Sequence, residues 1–255
     1  MTRMDLGLRD RVYIVTGASS GLGLATAREL VNDGANVVIC SRGRERVDAA
    51  LTHLGGPGHA RGLVADLAEA DTAERLLDAA VAGFGRLDGA VLSVGGPPAG
   101  DVGAVEDEAW RDSFEKIFLG PLRVARTVLH HGDDKAVAFV LSTSVRAPVP
   151  SLGISNALRP GLAGAAKALA DEFGPRGSRV LALLPGRILT DRITELEGAA
   201  PDPAAVRASI ERQIPLGRYG DPAELGRVAA FLVSPAASYL TGFAVPVDGG
   251  MTRSF

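Results

Sequence analysis

The chain alternates between short apolar runs and longer segments in which apolar residues recur every three or four positions. Consecutive apolar residues predict strands buried on both faces of a sheet, and the recurring spacing predicts helices with one buried face. Strands are predicted at Val12–Val15, Asn36–Cys40, Arg61–Ala65, Gly89–Leu92, Val137–Leu141, Arg179–Leu184 and Phe243–Val247. Helices are predicted at Leu22–Asn32, Arg44–His53, Asp71–Phe84, Glu106–His131, Ser155–Phe173 and Ala223–Val233. This alternation predicts an α/β fold, a single Rossmann-type doubly wound parallel sheet with helices on both faces.

No shift in composition, charged run or linker divides the chain, so we expect one domain over residues 1–255. Residues 187–215 depart from the strand–helix rhythm, because Pro201, Pro203 and Pro215 separate short helical pieces there. An insertion after a late strand is where a lid over a substrate pocket would lie. We therefore predict a substrate lid at 187–215, with an ordinary surface loop as the alternative.

Composition excludes several classes of function. The chain has 255 residues, of which 46% are hydrophobic, and a net charge of −3, so it can bury a core and lacks the basic surface typical of nucleic-acid binding. Cys40 is the only cysteine, which excludes an internal disulfide and predicts a buried, inert thiol. No apolar run could span a membrane, residues 1–10 lack the core of a signal peptide, and the four histidines lack metal-ligand spacing. We expect a cytoplasmic protein with a small-molecule substrate and with no metal, nucleic-acid or membrane partner.

The clearest chemical signal is the glycine-rich turn Thr16-Gly17-Ala18-Ser19-Ser20-Gly21-Leu22-Gly23, directly after the first predicted strand. A helix begins near Leu22, and the free N–H groups at a helix start carry partial positive charge. A strand, a glycine-rich turn and a helix in this order suit a bound pyrophosphate. We therefore predict that a dinucleotide cofactor contacts Gly17, Ser19, Ser20, Gly21, Leu22 and Gly23.

With its Thr-Gly-x-x-x-Gly-x-Gly spacing, the turn resembles that of the short-chain dehydrogenase/reductase family, and further motifs follow in the family's order over nearly the whole chain. Val91-Leu92-Ser93-Val94-Gly95 stands where the family usually reads Asn-Asn-Ala-Gly, and Pro185-Gly186-Arg187-Ile188-Leu189-Thr190 matches the segment at the nicotinamide end. Pro215-Leu216-Gly217-Arg218 and Val247-Asp248-Gly249-Gly250 resemble its closing motifs. The resemblance implies a homo-oligomer, a tetramer or a dimer, and cofactor contacts from Asp66, Leu67, Ser93, Gly95, Pro185, Gly186, Ile188 and Thr190.

The end of the second strand indicates which dinucleotide is bound. An acidic side chain there would bind the ribose hydroxyls and repel a 2′-phosphate, but this chain has Ser41 and Arg42. A guanidinium pairs with phosphate through charge-assisted hydrogen bonds, so we predict NADP(H) over NAD(H). The alternative is that Arg42 only borders a solvated turn beside Arg44 and Arg46.

The resemblance also places the catalytic positions, and most of them are changed. The family typically uses a serine, a tyrosine, a lysine and an asparagine to reduce a carbonyl. Ser144 matches the serine, whereas Ser155, Arg159 and Ile117 stand at the other three positions. An aliphatic hydroxyl is a far weaker acid than a phenol, and an arginine stays protonated. Ser144, Ser155 and Arg159 are therefore the predicted catalytic residues, with Arg159 also holding the cofactor ribose.

Two further expectations concern this region. Pro121 has no N–H group for the Ile117 carbonyl four residues earlier, so we expect a kinked helix and a free carbonyl that could hold a relay water. We expect none of the three tyrosines to reach the site. Anchors for an anionic substrate, or else ordinary surface arginines, are Arg146, Arg187 and Arg192.

Three functions remain open from sequence. The first is an NADP(H)-dependent oxidoreductase that acts on a carbonyl or alcohol with a rearranged catalytic site. The second is a catalytically silent dinucleotide-binding protein, a sensor or a partner subunit. The third is a structural subunit with a vestigial cofactor site, which the retained glycines of the turn argue against.

Overall fold

Seven parallel strands form one sheet in the computed structural model, which describes residues 4–198 and 201–253. The strand order is β3-β2-β1-β4-β5-β6-β7. This confirms the predicted doubly wound parallel sheet, and each strand lies within a residue or two of its predicted position. The strands are β1 Val12–Thr16, β2 Asn36–Ser41, β3 Ala60–Val64, β4 Gly89–Leu92, β5 Ala136–Val140, β6 Arg179–Pro185 and β7 Ala244–Val247.

Helices cover both faces of the sheet, and their buried residues form two apolar cores. Leu76, Val124 and Leu162 belong to the core on one face, whereas Leu30 and Leu225 belong to the other. The helices are α1 Gly21–Asn32, α2 Arg44–His53, α3 Thr72–Phe84, α4 Asp107–Ser113, α5 Gly120–His130, α6 Gly153–Phe173, α7 Asp191–Gly198, α8 Pro203–Glu211 and α9 Pro222–Val233. Within the described residues, no helix has the length and apolar character needed to cross a membrane.

The position of β1 determines where a ligand can bind. The chain proceeds from β1 outward to β3 on one side and then returns to lay β4 against the other side of β1. The helices that follow β1 and β4 therefore diverge, and a crevice opens beyond the carboxyl ends of these two strands. In open parallel sheets such a crevice is where ligands bind.

The predicted helix Glu106–His131 is wrong as a single element. The chain forms α4, then a π-helix over Phe114–Leu119, then α5, in which Pro121 occupies the first turn. Proline fits the first turn of a helix because the N–H groups there have no partner within that helix. A π-helix pairs a carbonyl with the N–H five residues on, so Pro121 does not by itself leave the Ile117 carbonyl free.

The predicted lid, 187–215, contains α7 and α8, and its residues 199 and 200 lie outside the described part of the chain. Asp202 caps α8 by accepting a hydrogen bond from the Ala205 N–H at 2.9 Å. Proline at the first position of α8 is again compatible with a helix start. The segment is therefore two short helices rather than an irregular loop.

A buried arginine ties the sheet to the end of α9. Arg179 begins β6, and its guanidinium donates to the carbonyls of Leu232, Ser234 and Leu240 at 2.6, 2.9 and 3.3 Å. The carbonyls at a helix C-terminus have no partner within the helix, and they favour a nearby cation. Arg179 therefore supplies the donor for the Leu232 carbonyl and a second donor for the Ser234 carbonyl, which also accepts from the Ala237 N–H.

Replacing Arg179 with Met should lower the free energy of unfolding by about 2–4 kcal/mol, because buried carbonyls lose their donors. Urea unfolding followed by circular dichroism measures this change. Arg176→Met is the control, since exposed Arg176 pairs with Asp133 at 2.8 Å on the surface, and such pairs contribute about 0–1 kcal/mol. Equal losses in both variants would contradict the role given to Arg179.

Candidate active site

The glycine-rich turn between β1 and α1 is closed so tightly that no side chain fits at Gly17 or Gly23. Gly17 has a φ of +57°, and a Cβ atom there would lie 2.6 Å from the Ser93 carbonyl oxygen. A Cβ atom on Gly23 would lie 2.4 Å from the Gly17 carbonyl oxygen. The hydroxyl of Thr16 also donates to the Ser93 carbonyl, at 2.7 Å. The turn is thus fixed against the end of β4, and the first residues of α1, Gly21, Leu22 and Gly23, line the crevice.

Two adjoining cavities open from this turn. The larger, which we call the main cavity, has a volume of about 540 Å³ and extends toward α6 and α7. The smaller, the side cavity, has a volume of about 330 Å³ and extends toward the ends of β2 and β3. Both are lined by Gly17, Ser20, Ser93 and Gly95. A long two-part ligand could therefore lie across the turn, with one end in each cavity.

The side cavity is bordered by arginines. Arg42 and Arg46 are exposed at its edge, and neither forms an ion pair with any described residue. The Ser19 hydroxyl lies 2.9 Å from that of Ser41, so the turn and the end of β2 are joined by hydroxyl groups. Asp66 lies on the opposite wall, where its carboxylate accepts from the Ala68 N–H at 3.0 Å. The mouth of this cavity therefore suits an anionic group beside a polar one.

Two buried serines meet behind the main cavity. Ser144 lies in a 3₁₀ turn after β5, and Ser155 lies in the first turns of α6. Their Oγ atoms are 3.3 Å apart, and the side chain of Ser142 accepts from the Ser144 N–H at 3.1 Å. Ser155 lines the cavity, whereas Ser144 lies behind it. One hydroxyl can donate to the other while the second donates to a ligand oxygen.

Arg159, one turn further along α6, is held by backbone carbonyls. Its Nη1 donates to the carbonyls of Val140 and Leu141 at 3.1 and 2.8 Å. Burial lowers the pKa of its guanidinium to about 10, and the positive charge of Arg192 adds to this effect. It therefore remains a cation at neutral pH. No described side-chain nitrogen is both buried and unpartnered, so the other two nitrogens of Arg159 keep contact with the main cavity.

Residues of the segment 187–215, the predicted lid, line one wall of the main cavity. Arg192, from α7, donates to the carbonyls of Gly96 and Pro97 at 2.8 and 2.9 Å, and so links α7 to the loop after β4. Arg187 also lines this cavity, but Arg146 lines a separate depression beside Phe243. The other lid residues on this wall are Ile188, Thr190, Asp191, Ile193, Glu197, Val206 and Ile210.

The structure brings almost all of the predicted site residues to these two cavities. Ile117, predicted to occupy the asparagine position, is buried and lines the side cavity. The main cavity is lined by Gly17, Ser20, Gly21, Leu22, Gly23, Ser93, Gly95, Ser155, Arg159, Pro185, Gly186, Ile188 and Thr190. The side cavity adds Ser19, Ser41, Arg42, Asp66 and Leu67. Within residues 4–198 and 201–253, no group of histidine, cysteine or acidic residues could hold a metal ion.

Sequence reasoning missed two polar contacts. The side-chain amide of Asn156 forms two hydrogen bonds with the backbone of Val149. Its oxygen accepts from the Val149 N–H at 3.0 Å, and its nitrogen donates to the Val149 carbonyl at 2.8 Å. Tyr219 donates its hydroxyl to Glu197, which lines the main cavity, so one tyrosine comes within one side chain of the site. Burial, followed by the contact with Glu197, raises the pKa of Tyr219. Side-chain hydrogen bonds of this kind leave no periodic pattern in the sequence.

The open space around Gly95 is a further observation that the residues of this site fit a dinucleotide. A Cβ atom built on Gly95, which lines both cavities, would meet no atom within 4 Å. The glycine therefore leaves open space where the two cavities join. The tight glycine-rich turn, the N–H groups of α1 and the arginines of the side cavity supply donors for phosphate around this space.

Comparisons with known proteins agree with this geometry. A family model described as Enoyl-(Acyl carrier protein) reductase matches residues 17–252. Human "Dehydrogenase/reductase SDR family member 4" is 32% identical over 98% of this chain and 90% of its own length. "Putative ketoacyl reductase" of Streptomyces coelicolor is 32% identical over 94% of this chain and 96% of its own length.

Solved structures share the whole architecture. A short-chain dehydrogenase/reductase from Brucella melitensis has a TM-score of 0.91 and 29% identity, covering 98% of this chain and 100% of its own. L-Sorbose reductase from Gluconobacter frateurii, complexed with NADPH and L-sorbose, has a TM-score of 0.90 and 28% identity, covering 99% of this chain and 100% of its own.

Gly95→Val should fill the space between the cavities without disturbing the fold. We expect the free energy of unfolding to change by less than about 0.5 kcal/mol, while NADPH affinity, measured by calorimetry, falls at least about tenfold. Gly23→Val is the contrasting variant, because its side chain would collide with the Gly17 carbonyl and destabilise the turn itself. Unchanged NADPH binding by a folded Gly95→Val protein would contradict the predicted position of the ligand.

Proposed function

Because the chain belongs to the short-chain dehydrogenase/reductase family of oxidoreductases, we propose that it is an NADP(H)-dependent enzyme that acts on a carbonyl or alcohol with a rearranged catalytic site. The observation that carries this proposal is the pair of hydroxyls of Ser144 and Ser155, 3.3 Å apart beside the main cavity. Arg159 adds a fixed positive charge at the same wall. These groups can bind and polarise one substrate oxygen.

NADP(H) would be held across the two cavities. The N–H groups of α1 and the glycine-rich turn would bind the pyrophosphate, and Arg42 would pair with the 2′-phosphate beside Ser41. Gly95 leaves the space between the two ends open, and Arg159 would hold the ribose next to the nicotinamide. When bound, this cofactor supplies or accepts the hydride. That two related structures were solved with NADPH supports the choice.

The serines act on the substrate oxygen. In the reducing direction, Ser155 donates its O–H to the carbonyl oxygen and accepts from the Ser144 hydroxyl in turn. As negative charge develops on that oxygen, the Arg159 guanidinium stabilises it through a buried, low-dielectric path. Both serines are buried and fixed on rigid elements, so little reorganisation is needed when the charge appears.

Water supplies the proton in this proposal. An aliphatic hydroxyl donates a hydrogen bond but gives up its proton reluctantly, so Ser155 orients the oxygen and water in the main cavity completes the transfer. Tyr219 does not take the role of the missing phenol, because its proton is committed to Glu197 and its pKa is raised. Proton delivery is therefore the step in which this site departs most from the family pattern.

We extend the proposal to the surroundings of the site. Residues 187–215 serve as a lid, supported by the contact of Arg192 with the loop after β4. The protein works in the cytoplasm on a small molecule, in keeping with its single buried cysteine. It assembles as a homo-oligomer, a dimer or a tetramer, and Phe114 and Phe243 are exposed apolar side chains available for subunit contacts.

A silent dinucleotide-binding protein is the second candidate. It is favoured by the loss of the phenol and the ammonium at the positions of Ser155 and Arg159. Binding of NADPH with no oxidation of it in the presence of a broad panel of ketones and aldehydes would support this candidate over the enzyme.

The preference for NADP(H) is tested at Arg42. Arg42→Gln should weaken NADPH binding about tenfold or more, because a charge-assisted pair is lost, and should leave NADH binding within about twofold. Isothermal titration calorimetry measures both affinities. Arg44→Gln is the matched control, since it makes the same charge change on α2 away from the lining of the side cavity. Equal weakening by both variants would indicate general electrostatics instead of a specific phosphate contact.

The serine pair is tested by turnover. Ser155→Ala should lower kcat/KM about 100-fold, because a donor to the developing oxyanion is removed. NADPH affinity should stay unchanged. The control is Ser238→Ala, an exposed hydroxyl remote from both cavities. Full activity in a folded Ser155→Ala protein would contradict the proposed role of this hydroxyl.

A further inference from the structure

Two arginines in the main cavity are held by backbone carbonyls, as Arg179 is outside it. Arg159 is held by the carbonyls of Val140 and Leu141, and Arg192 by those of Gly96 and Pro97. Backbone carbonyls orient a guanidinium but leave its full positive charge in place. Most other arginines with side-chain partners pair with carboxylates instead, among them Arg11, Arg75, Arg86, Arg111, Arg123 and Arg218.

Neither of the described acidic residues of the main cavity forms an ion pair with its arginines. Its acidic lining residues are Asp191 and Glu197. Glu197 accepts the hydroxyl of Tyr219, and Asp191 lies in the first turn of α7, where the helix dipole stabilises it. Across the described chain, no carboxylate lies within ion-pair distance of Arg159, Arg187 or Arg192. Three arginines thus line one cavity, and none of them is in an ion pair with a described carboxylate.

The guanidinium groups of Arg159 and Arg192 are close enough for their charges to interact, since Arg192 contributes to the lowered pKa of Arg159. Two like charges directed into one cavity repel each other, and an anion between them relieves this repulsion. Arg42 and Arg46, the arginines suited to phosphate, line the side cavity and not the main cavity. Arg192, which the proposed function does not assign to the cofactor, is therefore available for the substrate.

Resting on the proposed function, we propose that the substrate is a 2-oxo carboxylate, or the matching 2-hydroxy carboxylate, whose carboxylate is bound by Arg192. The serine pair receives the reacting oxygen, and an adjacent carboxylate then lies toward the arginines that share the cavity wall. Arg192 has donors left after its two carbonyl contacts, and a guanidinium matches the planar geometry of a carboxylate. Arg159 adds its positive charge in the same cavity.

The remainder of the cavity indicates the rest of the substrate. Val149, Leu152, Ile193, Val206 and Ile210 line it with apolar surface. A short branched aliphatic chain would bury its carbon atoms against these side chains. The substrate class is thus an aliphatic 2-oxo carboxylate instead of a neutral ketone or a sugar.

The test uses the intact protein saturated with NADPH and a matched pair of unreactive probes, N-isobutyloxamate and the neutral N-isobutyloxamide. Calorimetry should show the oxamate binding at least about tenfold more tightly than the oxamide. Arg192→Gln should abolish this difference by weakening the oxamate alone, and Arg192→Lys should restore part of it. NADPH affinity, measured first, should be the same in all these proteins.

Each other outcome has a defined meaning. Arg212→Gln, an exposed arginine of the same segment outside the main cavity, is the control and should leave the oxamate affinity unchanged. Equal binding of the two probes, or equal weakening of both in Arg192→Gln, would overturn the carboxylate site and assign Arg192 to the lid alone. Failure to bind NADPH at all would instead overturn the proposed function. Turnover of 4-methyl-2-oxopentanoate but not of 5-methylhexane-2,3-dione is the corresponding kinetic result.

Discussion

The contact between Gly17 and the Ser93 carbonyl is the constraint on which the site depends. It joins the carboxyl ends of β1 and β4 at the point where the strand order reverses, and any side chain at position 17 would break it. Because this contact fixes the turn, it also fixes the start of α1 and the open space at Gly95. The two cavities meet there. The carboxyl ends of the strands form the crevice, and the close approach of Gly17 to the Ser93 carbonyl determines how a long ligand can cross it.

Electrostatics then divides the crevice between two kinds of ligand. The side cavity has exposed arginines at its edge, whereas the main cavity holds a buried arginine supported by carbonyl dipoles. An exposed guanidinium is screened by solvent and suits a phosphate near the surface. A buried one acts at short range in a low dielectric, so it can influence a reacting oxygen. Arginines in the side cavity and in the main cavity are therefore suited to different chemistry.

The fold could be predicted because each strand carries its own local signal, a short apolar run between turn residues. The sequence predicts one helix over Glu106–His131 because the apolar stripe continues through Phe114–Leu119, where a π-helix interrupts the α-helical segments. The glycine-rich turn and the serines could be located from spacing and family resemblance. Arg192 could be named only as one of three possible anchors. The hydrogen bonds of Asn156 and of Arg192 could not be predicted, because their partners are backbone groups 7 and about 96 residues away along the chain.

The burial of Arg159 sets fold stability and function against each other. A desolvated cation without a carboxylate partner is costly, and replacing such groups with apolar residues of similar size often stabilises proteins. Variants selected only for thermal stability would therefore tend to lose this arginine and keep the fold. The carbonyls of Val140 and Leu141 hold Arg159 in place, so the charge that the proposed chemistry would use is kept at a cost to the stability of the fold.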